Sequence, residues 1–123
     1  MTRFLMILIA FITTFSAQKA FADCRTTPIA FNFDANTETS GEGVISGNGF
    51  CRLTFWTKAG IVNDSTIVKK PRNGTLENTN LSTFEYQAKP QFKGKDDLIV
   101  KLCGTKRVGG GGCVTISYSL TIQ

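Results

Sequence analysis

The sequence contains no histidine among its 123 residues. This absence excludes Ser-His-Asp and Cys-His nucleophile systems, histidine metal ligands and an imidazole pH switch. The nine acidic residues are scattered and show no distinctive arrangement of the kind that glycoside hydrolysis requires. We therefore predict that the protein is not an enzyme and has neither catalytic residues nor a cofactor. A small hydrolase is kept as the least favoured alternative.

Long hydrophobic runs are also absent. The longest, residues 4–12, is about half of the roughly 20 residues that span a bilayer. It follows one cation, Arg3, and precedes a polar stretch that ends at Ala20-Phe21-Ala22. This is the pattern of a secretory signal peptide with an Ala-x-Ala cleavage site. We predict a signal peptide of residues 1–22 that is cleaved after Ala22, leaving a mature domain of residues 23–123 with no transmembrane anchor.

Two alternatives to simple cleavage are weaker. The short apolar run disfavours an uncleaved N-terminal membrane anchor. Lipid attachment at Cys24 is disfavoured because Asp23 occupies the position where a lipobox needs a small residue.

Charge of neither sign dominates the mature chain. Cleavage removes Arg3 and Lys19 from the 14 basic residues, and 12 basic minus 9 acidic residues leaves a net charge of +3. Because an exported protein does not meet nucleic acid, we predict no nucleic-acid partner. The expected location is outside the cytoplasm.

The four cysteines lack the close spacing of zinc ligands. Cys24, Cys51, Cys103 and Cys113 are separated by 27, 52 and 10 positions, so no C-x2-C pair exists. In an exported chain of about 100 residues, two disulfides are expected instead, with three possible connectivities. Cys103 and Cys113 flank a glycine-rich segment between two apolar runs, which predicts a hairpin with the two sulfurs opposite each other. The Cys24–Cys51 pair follows by elimination.

Residues beyond position 30 show no apolar 3.6-residue period over three helical turns. Short runs of alternating or β-branched residues recur instead, between turn sequences rich in glycine, asparagine and proline. The predicted strands are 27–33, 43–45, 51–57, 66–70, 83–87, 98–103 and 113–122. About seven short strands in about 100 residues predict an all-β sandwich of antiparallel strands, stapled by disulfides, rather than a barrel.

Alternation along the predicted strands assigns their faces. In residues 113–122 the apolar side chains share one face and the hydroxyl side chains the other. In residues 51–57, parity places Arg52, Thr54 and Trp56 on the face opposite to Cys51. An outward indole beside Arg52 could form a sugar-stacking or protein-contact patch. A strand bulge would instead turn Trp56 into the core, and this core position is the favoured interpretation.

Two segments in the C-terminal half have a recognisable spacing. Residues 70–76, K-P-R-N-G-T-L, are followed by residues 84–98, F-E-Y-Q-A-K-P-Q-F-K-G-K-D-D-L. They resemble the signature of the bacterial cadherin-like, immunoglobulin-like (Big-type) domain family, which is P-x-x-G-T and then F-x-Y-x-P-x-P-x-F-x-G-x-D, followed by two closing strands. The resemblance covers residues 66–122. Ala88 stands where the family usually has proline, and Gln91 where glycine is common.

The physical chemistry of these signature positions is structural. Those with expected structural roles are Pro71, Gly74, Phe84, Tyr86, Phe92, Gly94 and Asp96. Proline fixes φ, Asn73-Gly74 offers the positive φ of a tight turn, the three aromatic residues fill the core, and Gly94 lets the chain turn. Asp96 is expected to accept backbone N–H bonds. With Asp97 it could also bind calcium, but the acidic clusters of cadherin-type calcium sites are missing, so we predict no metal.

Three groups of residues are candidates for binding. The glycine-rich loop 104–112 contains Lys106 and Arg107 at one end of the predicted sandwich, where such folds often present ligand loops, although a solvated hairpin tip explains the same residues. The second group is Trp56 with Arg52. The third group is Lys69, Lys70, Arg72, Lys89, Lys93 and Lys95. These cations could bind acidic envelope polymers, but a solvated edge that discourages aggregation is favoured.

The resemblance implies an immunoglobulin-like β-sandwich in a bacterial envelope setting, which is the periplasm, the cell surface or the medium. Members of the family usually occur as repeats in large surface adhesins, whereas this chain has one copy, so adhesion does not carry over. We predict a non-enzymatic binding or structural module of the bacterial envelope that recognises an unknown envelope protein or surface glycan. Carbohydrate or acidic-polymer binding and enzyme inhibition are the alternatives.

Overall fold

The computed structural model describes residues 23–31, 33, 36–57, 60–106 and 108–123. The predicted signal peptide, residues 1–22, and Arg107 lie outside the described residues. Ten β-strands and no helix occur in the described part of the chain. The strands are β1 (Asp23–Thr26), β2 (Ala30–Phe31), β3 (Thr37–Ser46), β4 (Phe50–Thr54), β5 (Trp56–Thr57), β6 (Ile61–Lys69), β7 (Gly74–Asn80), β8 (Thr83–Ala88), β9 (Gly94–Thr105) and β10 (Gly111–Ile122).

The strands form two main sheets that pack face to face. A five-stranded sheet has the order β1-β3-β10-β9-β6, and a three-stranded sheet has the order β4-β8-β7. A short parallel pair, β2 with β5, continues the line of β4. The prediction of an all-β sandwich is confirmed.

The pairing differs in detail from seven antiparallel strands. β3 pairs with β10 in parallel, from Thr37 opposite Val114 to Ile45 opposite Ile122. β1 and β7 were not among the predicted strands, because their sequences are polar. Both lie at the edge of a sheet, and most of their side chains are exposed.

Alternating side chains from the two sheets fill a common core. The inner face of β10 carries Val114, Ile116, Tyr118, Leu120 and Ile122, all buried, as the alternation predicts. The three-stranded sheet contributes Leu53, Phe84 and Tyr86 from the opposite side. Burial of these apolar side chains is the main favourable contribution to folding.

Strand β4 ends at Thr54, and Phe55 separates it from β5 without breaking the alternation of buried and exposed side chains. The Phe55 backbone N–H donates to the Ser82 carbonyl oxygen at 2.9 Å, and the Phe55 side chain is buried. The side chain of the next residue, Trp56, faces outward, and its backbone pairs with Ala30 of β2. The Trp56 side chain is 70% exposed, so the favoured core position is wrong. The strand parity, with Arg52 and Trp56 outward, is confirmed.

Both predicted disulfides are present. Cys103 and Cys113 lie directly opposite each other in the β9–β10 hairpin, with 4.0 Å between their Cα atoms. Cys24 in β1 is bonded to Cys51 in β4, with a Cα–Cα distance of 5.4 Å. Because β1 and β4 are edge strands of different sheets, this second bond closes one side of the sandwich.

The segment predicted as a glycine-rich loop is largely strand. β9 extends to Thr105 and β10 begins at Gly111, which leaves a turn closed by the Lys106 N–H and the Gly110 carbonyl oxygen at 3.0 Å. Gly104 belongs to β9, and a Cβ atom there would overlap the Ile61 carbonyl oxygen and the Phe33 ring. Glycine at this position therefore permits close packing rather than a flexible loop.

One buried carboxylate joins three segments of the C-terminal half. Asp96 is 3% exposed and accepts the backbone N–H groups of Arg72 and Asn73 at 3.0 and 3.1 Å. It also accepts the Tyr86 hydroxyl at 2.8 Å and the Asp97 N–H at 3.1 Å. The predicted backbone contacts of Asp96 are confirmed, and most of them come from the turn between β6 and β7.

Gly74 has a different role from the one predicted. Its φ lies outside the left-handed region, so it does not supply the positive φ of a turn. A Cβ atom at Gly74 would lie 2.6 Å from the Gln87 carbonyl oxygen and 2.7 Å from the Tyr86 ring. Glycine is required because Tyr86 must pass close to the backbone on its way to Asp96.

The two departures from the family signature have structural correlates. The Ala88 N–H donates to the Gly49 carbonyl oxygen at 3.0 Å, a bond that proline could not make. Gln91 has φ 65°, the left-handed conformation that glycine adopts most easily. Gly94 turns the chain with φ 135°, as predicted. Phe92 is half-buried against the core rather than within it.

Candidate functional site

Trp56 and its neighbours form an exposed surface on the three-stranded side of the sandwich. We call Arg52, Thr54 and Trp56 the Trp56 surface. Beside it lies an open cavity of about 200 Å³. The cavity is lined by Thr26, Thr27, Pro28, Ile29, Leu53, Thr54, Phe55, Trp56 and Tyr118. The indole therefore borders a shallow concave site with mixed apolar and hydroxyl walls.

Tyr118 lines this cavity from the core side. Its hydroxyl donates to the Thr27 carbonyl oxygen at 3.3 Å. Burial raises the pKa of the Tyr118 hydroxyl above its ordinary value. The hydroxyl is therefore neutral at physiological pH and acts as a structural donor rather than as a base.

Arg52 is engaged within the sheet. Its Nε and one terminal nitrogen donate to one carboxylate oxygen of Glu85, at 3.1 and 3.0 Å. The two residues are directly opposite each other on β4 and β8, and the Arg52 side chain is 63% exposed. This exposed pair contributes little to stability, but it orients a charged group beside Thr54 on the outer face.

The predicted loop site is only partly described. Lys106 is half-buried and engaged in a contact within the protein. The most exposed apolar side chain in the turn is Val108, at 86%. Of the two predicted cations, only Lys106 belongs to the described part of the turn.

The predicted basic patch lies at one end of the sandwich. We call Lys69, Lys70, Arg72, Lys89, Lys93 and Lys95 the basic end. These residues occupy the end of β6, the turn after it, the β8–β9 connection and the start of β9, and all six are exposed. A hydrogen bond of 2.8 Å from the Lys89 N–H to the Asn73 carbonyl oxygen holds two of these connections together.

The signature residues lie beneath this end and are mainly structural. Pro71, Phe84 and Tyr86 are buried, and Asp96 is saturated with hydrogen-bond donors. Asp96 is therefore occupied by the fold and is not placed to coordinate calcium with Asp97. Among the described residues no group of three or more histidine, cysteine, aspartate or glutamate side chains could hold a metal ion. No helix in the described part of the chain is long and apolar enough to cross a membrane.

Sequence reasoning placed Lys69, Arg72 and Lys95 in one basic patch, and the three residues line one cavity. It missed Pro28 and Ile29, which line the cavity beside Trp56. No local pattern brings Pro28 and Ile29 to Trp56, because their contact depends on the pairing of β2 with β5, which are distant in sequence.

Comparison with known proteins adds no relative. No protein-family model matches the chain, and no curated protein matches its sequence. The resemblance to bacterial cadherin-like domains therefore stays a prediction.

Proposed function

We propose that this protein is an exported, non-enzymatic recognition module of the bacterial envelope that binds a protein partner through the Trp56 surface. The observation that carries the proposal is the 70% exposure of the only tryptophan in the chain. An exposed indole is unfavourable in water, and tryptophan is the residue type most enriched among the dominant contacts of protein interfaces.

The packing and strand pairing next to the indole support this role. Phe55 is next to Trp56 in the chain. Its ring centroid lies 6.0 Å from that of Phe84 and 6.1 Å from that of Tyr118. Trp56 is also paired with Ala30 in the parallel strand pair. A partner that covers the indole would therefore pay little to order the backbone beneath it.

The cellular setting follows from the disulfides. Two disulfides are typical of an oxidising compartment outside the cytoplasm. The predicted signal peptide and the resemblance to cadherin-like domains narrow this proposal to the bacterial periplasm or cell surface. Neither argument depends on the identity of the partner.

The proposal is tested with the full chain, expressed in its own bacterium and recovered with photo-crosslinked partners. Trp56→Ala should lose the partner, because truncation of a dominant interface residue weakens binding about 30-fold or more. Val108→Ala is the matched control, since it removes another exposed apolar side chain from a different surface.

The single tryptophan makes the test specific. When the purified partner is added to the wild-type protein, indole emission should shift to shorter wavelength and acrylamide quenching should fall. Unchanged partner binding by Trp56→Ala would reject the proposal. If envelope glycans but no protein protect the indole from quenching, the proposal is also rejected, in favour of sugar stacking on Trp56.

A further inference from the structure

The basic end concentrates charge that the fold does not use. Twelve basic residues follow position 22, and six of them are in the basic end. The ion pairs among described residues are Arg25–Asp23 and Arg52–Glu85, so no described carboxylate lies within ion-pair distance of these six cations. Concentrated like charge destabilises a folded protein through self-repulsion. Such a cluster is therefore complementary to a ligand of opposite charge.

Three of the cations converge on one open cavity. Lys69 comes from the end of β6, Arg72 from the following turn and Lys95 from the start of β9. The cavity measures about 430 Å³ and is also lined by Asn73, Asp96 and Asp97. The Asp96 carboxylate is directed to backbone donors and to Tyr86, which leaves one exposed carboxylate, Asp97, among three cations. The cavity can therefore present guanidinium, ammonium and amide donors to an anionic group.

A groove of mixed polar and apolar lining continues from this cavity onto the outer face of the five-stranded sheet. It measures about 330 Å³ and shares Lys69 and Asp97 with the cavity. The rest of its lining is Ser40, Gly41, Glu42, Leu98, Ile99, Ser117, Tyr118 and Ser119.

Strand register explains the shape and chemistry of the groove. Ser117 lies between Ser40 of β3 and Ile99 of β9, and the next row places Ser119 between Glu42 and Asp97. Short hydroxyl side chains on the central strand leave room between longer side chains on its neighbours. Hydroxyl and carboxylate oxygens can bond to sugar hydroxyl groups, and Ile99 provides apolar contact.

We propose that the cavity and the groove together bind an acidic glycan. The anionic group lies among Lys69, Arg72 and Lys95, and the sugar rings lie over Ser117 and Ser119. A neutral glycan would leave the cations uncompensated, whereas a compact inorganic anion would leave the groove empty. The site lies on the opposite sheet from the Trp56 surface, so it goes beyond the protein recognition proposed above.

The test is calorimetric titration of the protein with a galacturonate oligosaccharide, at low and at physiological ionic strength. We expect binding that weakens as salt screens the cations. The fully methyl-esterified oligosaccharide keeps the rings and removes the charge, so it should bind at least about tenfold more weakly. Inorganic polyphosphate and polyglutamate supply charge without sugar rings and should also bind more weakly than galacturonate.

Variants locate the site. Arg72→Gln combined with Lys95→Gln should weaken galacturonate binding about tenfold. Lys101→Gln removes one positive charge from β9, about 20 Å further along the strand than Lys95, and should leave the affinity unchanged. Ser117→Leu fills the groove and should weaken galacturonate binding while leaving the weak polyphosphate binding as it was. All these side chains are exposed, and thermal melting checks that each variant is folded.

The proposal is overturned if the methyl ester, polyphosphate or polyglutamate binds as tightly as galacturonate. It is also overturned if galacturonate does not bind, or if the Arg72→Gln, Lys95→Gln double variant binds galacturonate like the wild type. Trp56→Ala should bind galacturonate normally. Loss of the protein partner and loss of the glycan are thus separate results, and either proposal can fail without the other.

Discussion

Gln91 holds a backbone conformation that costs the protein stability. Its φ of 65° places it in the left-handed region, where a side chain with a Cβ atom crowds the following carbonyl oxygen. The residue is exposed between β8 and β9, in a turn closed by the Phe92 N–H and the Lys89 carbonyl oxygen at 3.1 Å. The turn is kept because its neighbours pack against the core.

Gln91→Gly should therefore raise the free energy of unfolding by about 0.5 to 1 kcal/mol, since relief of the left-handed strain exceeds the added freedom of the unfolded chain. Urea unfolding measures the change. Gln91→Val is the opposing control and should destabilise, because a β-branched residue tolerates this φ least. A glycine variant less stable than the wild type would contradict the interpretation.

The turn between β6 and β7, strand β8 and the start of β9 depend on the Asp96 carboxylate. Four donors from these segments meet its two oxygens. Hydrogen bonds to a buried charged acceptor are stronger than neutral ones, and their loss leaves backbone N–H groups unsatisfied. The same contact holds Arg72 at the cavity of the basic end, so the element that stabilises the fold also positions the proposed glycan site.

Asp96→Asn should lower the free energy of unfolding by about 2 to 3 kcal/mol, because an amide nitrogen would face at least one of the backbone donors. Asp97→Asn is a matched control on an exposed neighbour and should change stability by less than about 0.5 kcal/mol. Chemical denaturation of both variants tests the difference. Equal stability of the two variants would show that the carboxylate is not what joins these elements.

Both tyrosines of the chain, Tyr86 and Tyr118, are buried inside the sandwich. Burial raises the pKa of the Tyr86 hydroxyl, and its hydrogen bond to Asp96 and the charge of Asp96 raise it further. Burial also raises the pKa of Tyr118. An unfolded tyrosine has a pKa of about 10, so stability from both groups is fully present below that pH. Above it, the unfolded chain releases protons that the folded protein retains, and stability falls.

The free energy of unfolding should therefore decline from about pH 10 upward, and tyrosinate absorbance should appear together with loss of the native circular dichroism signal. The same protein in urea is the control, where both tyrosines should titrate near pH 10. Tyrosinate absorbance near pH 10 with the native signal intact would contradict the buried positions of these hydroxyls.

Features with a local or periodic cause were predictable. Alternation of apolar and hydroxyl residues in β10 identified its buried face, since side chains in a strand point to opposite faces in turn. The spacing of Cys103 and Cys113 around a glycine-rich segment identified a hairpin and therefore a disulfide. The all-β class follows from the same repeated pattern.

Features that depend on pairing between distant strands were not predictable. The parallel pairing of β3 with β10 places Ser40 beside Ser117 and so forms one side of the groove on the five-stranded sheet. Gly74 is required by the position of Tyr86, which belongs to another strand. The chain sequence specifies which side chains are apolar, charged or able to turn. Register across the sheets decides which of them meet, because hydrogen bonding between strands and packing of the core are satisfied by the whole fold at once.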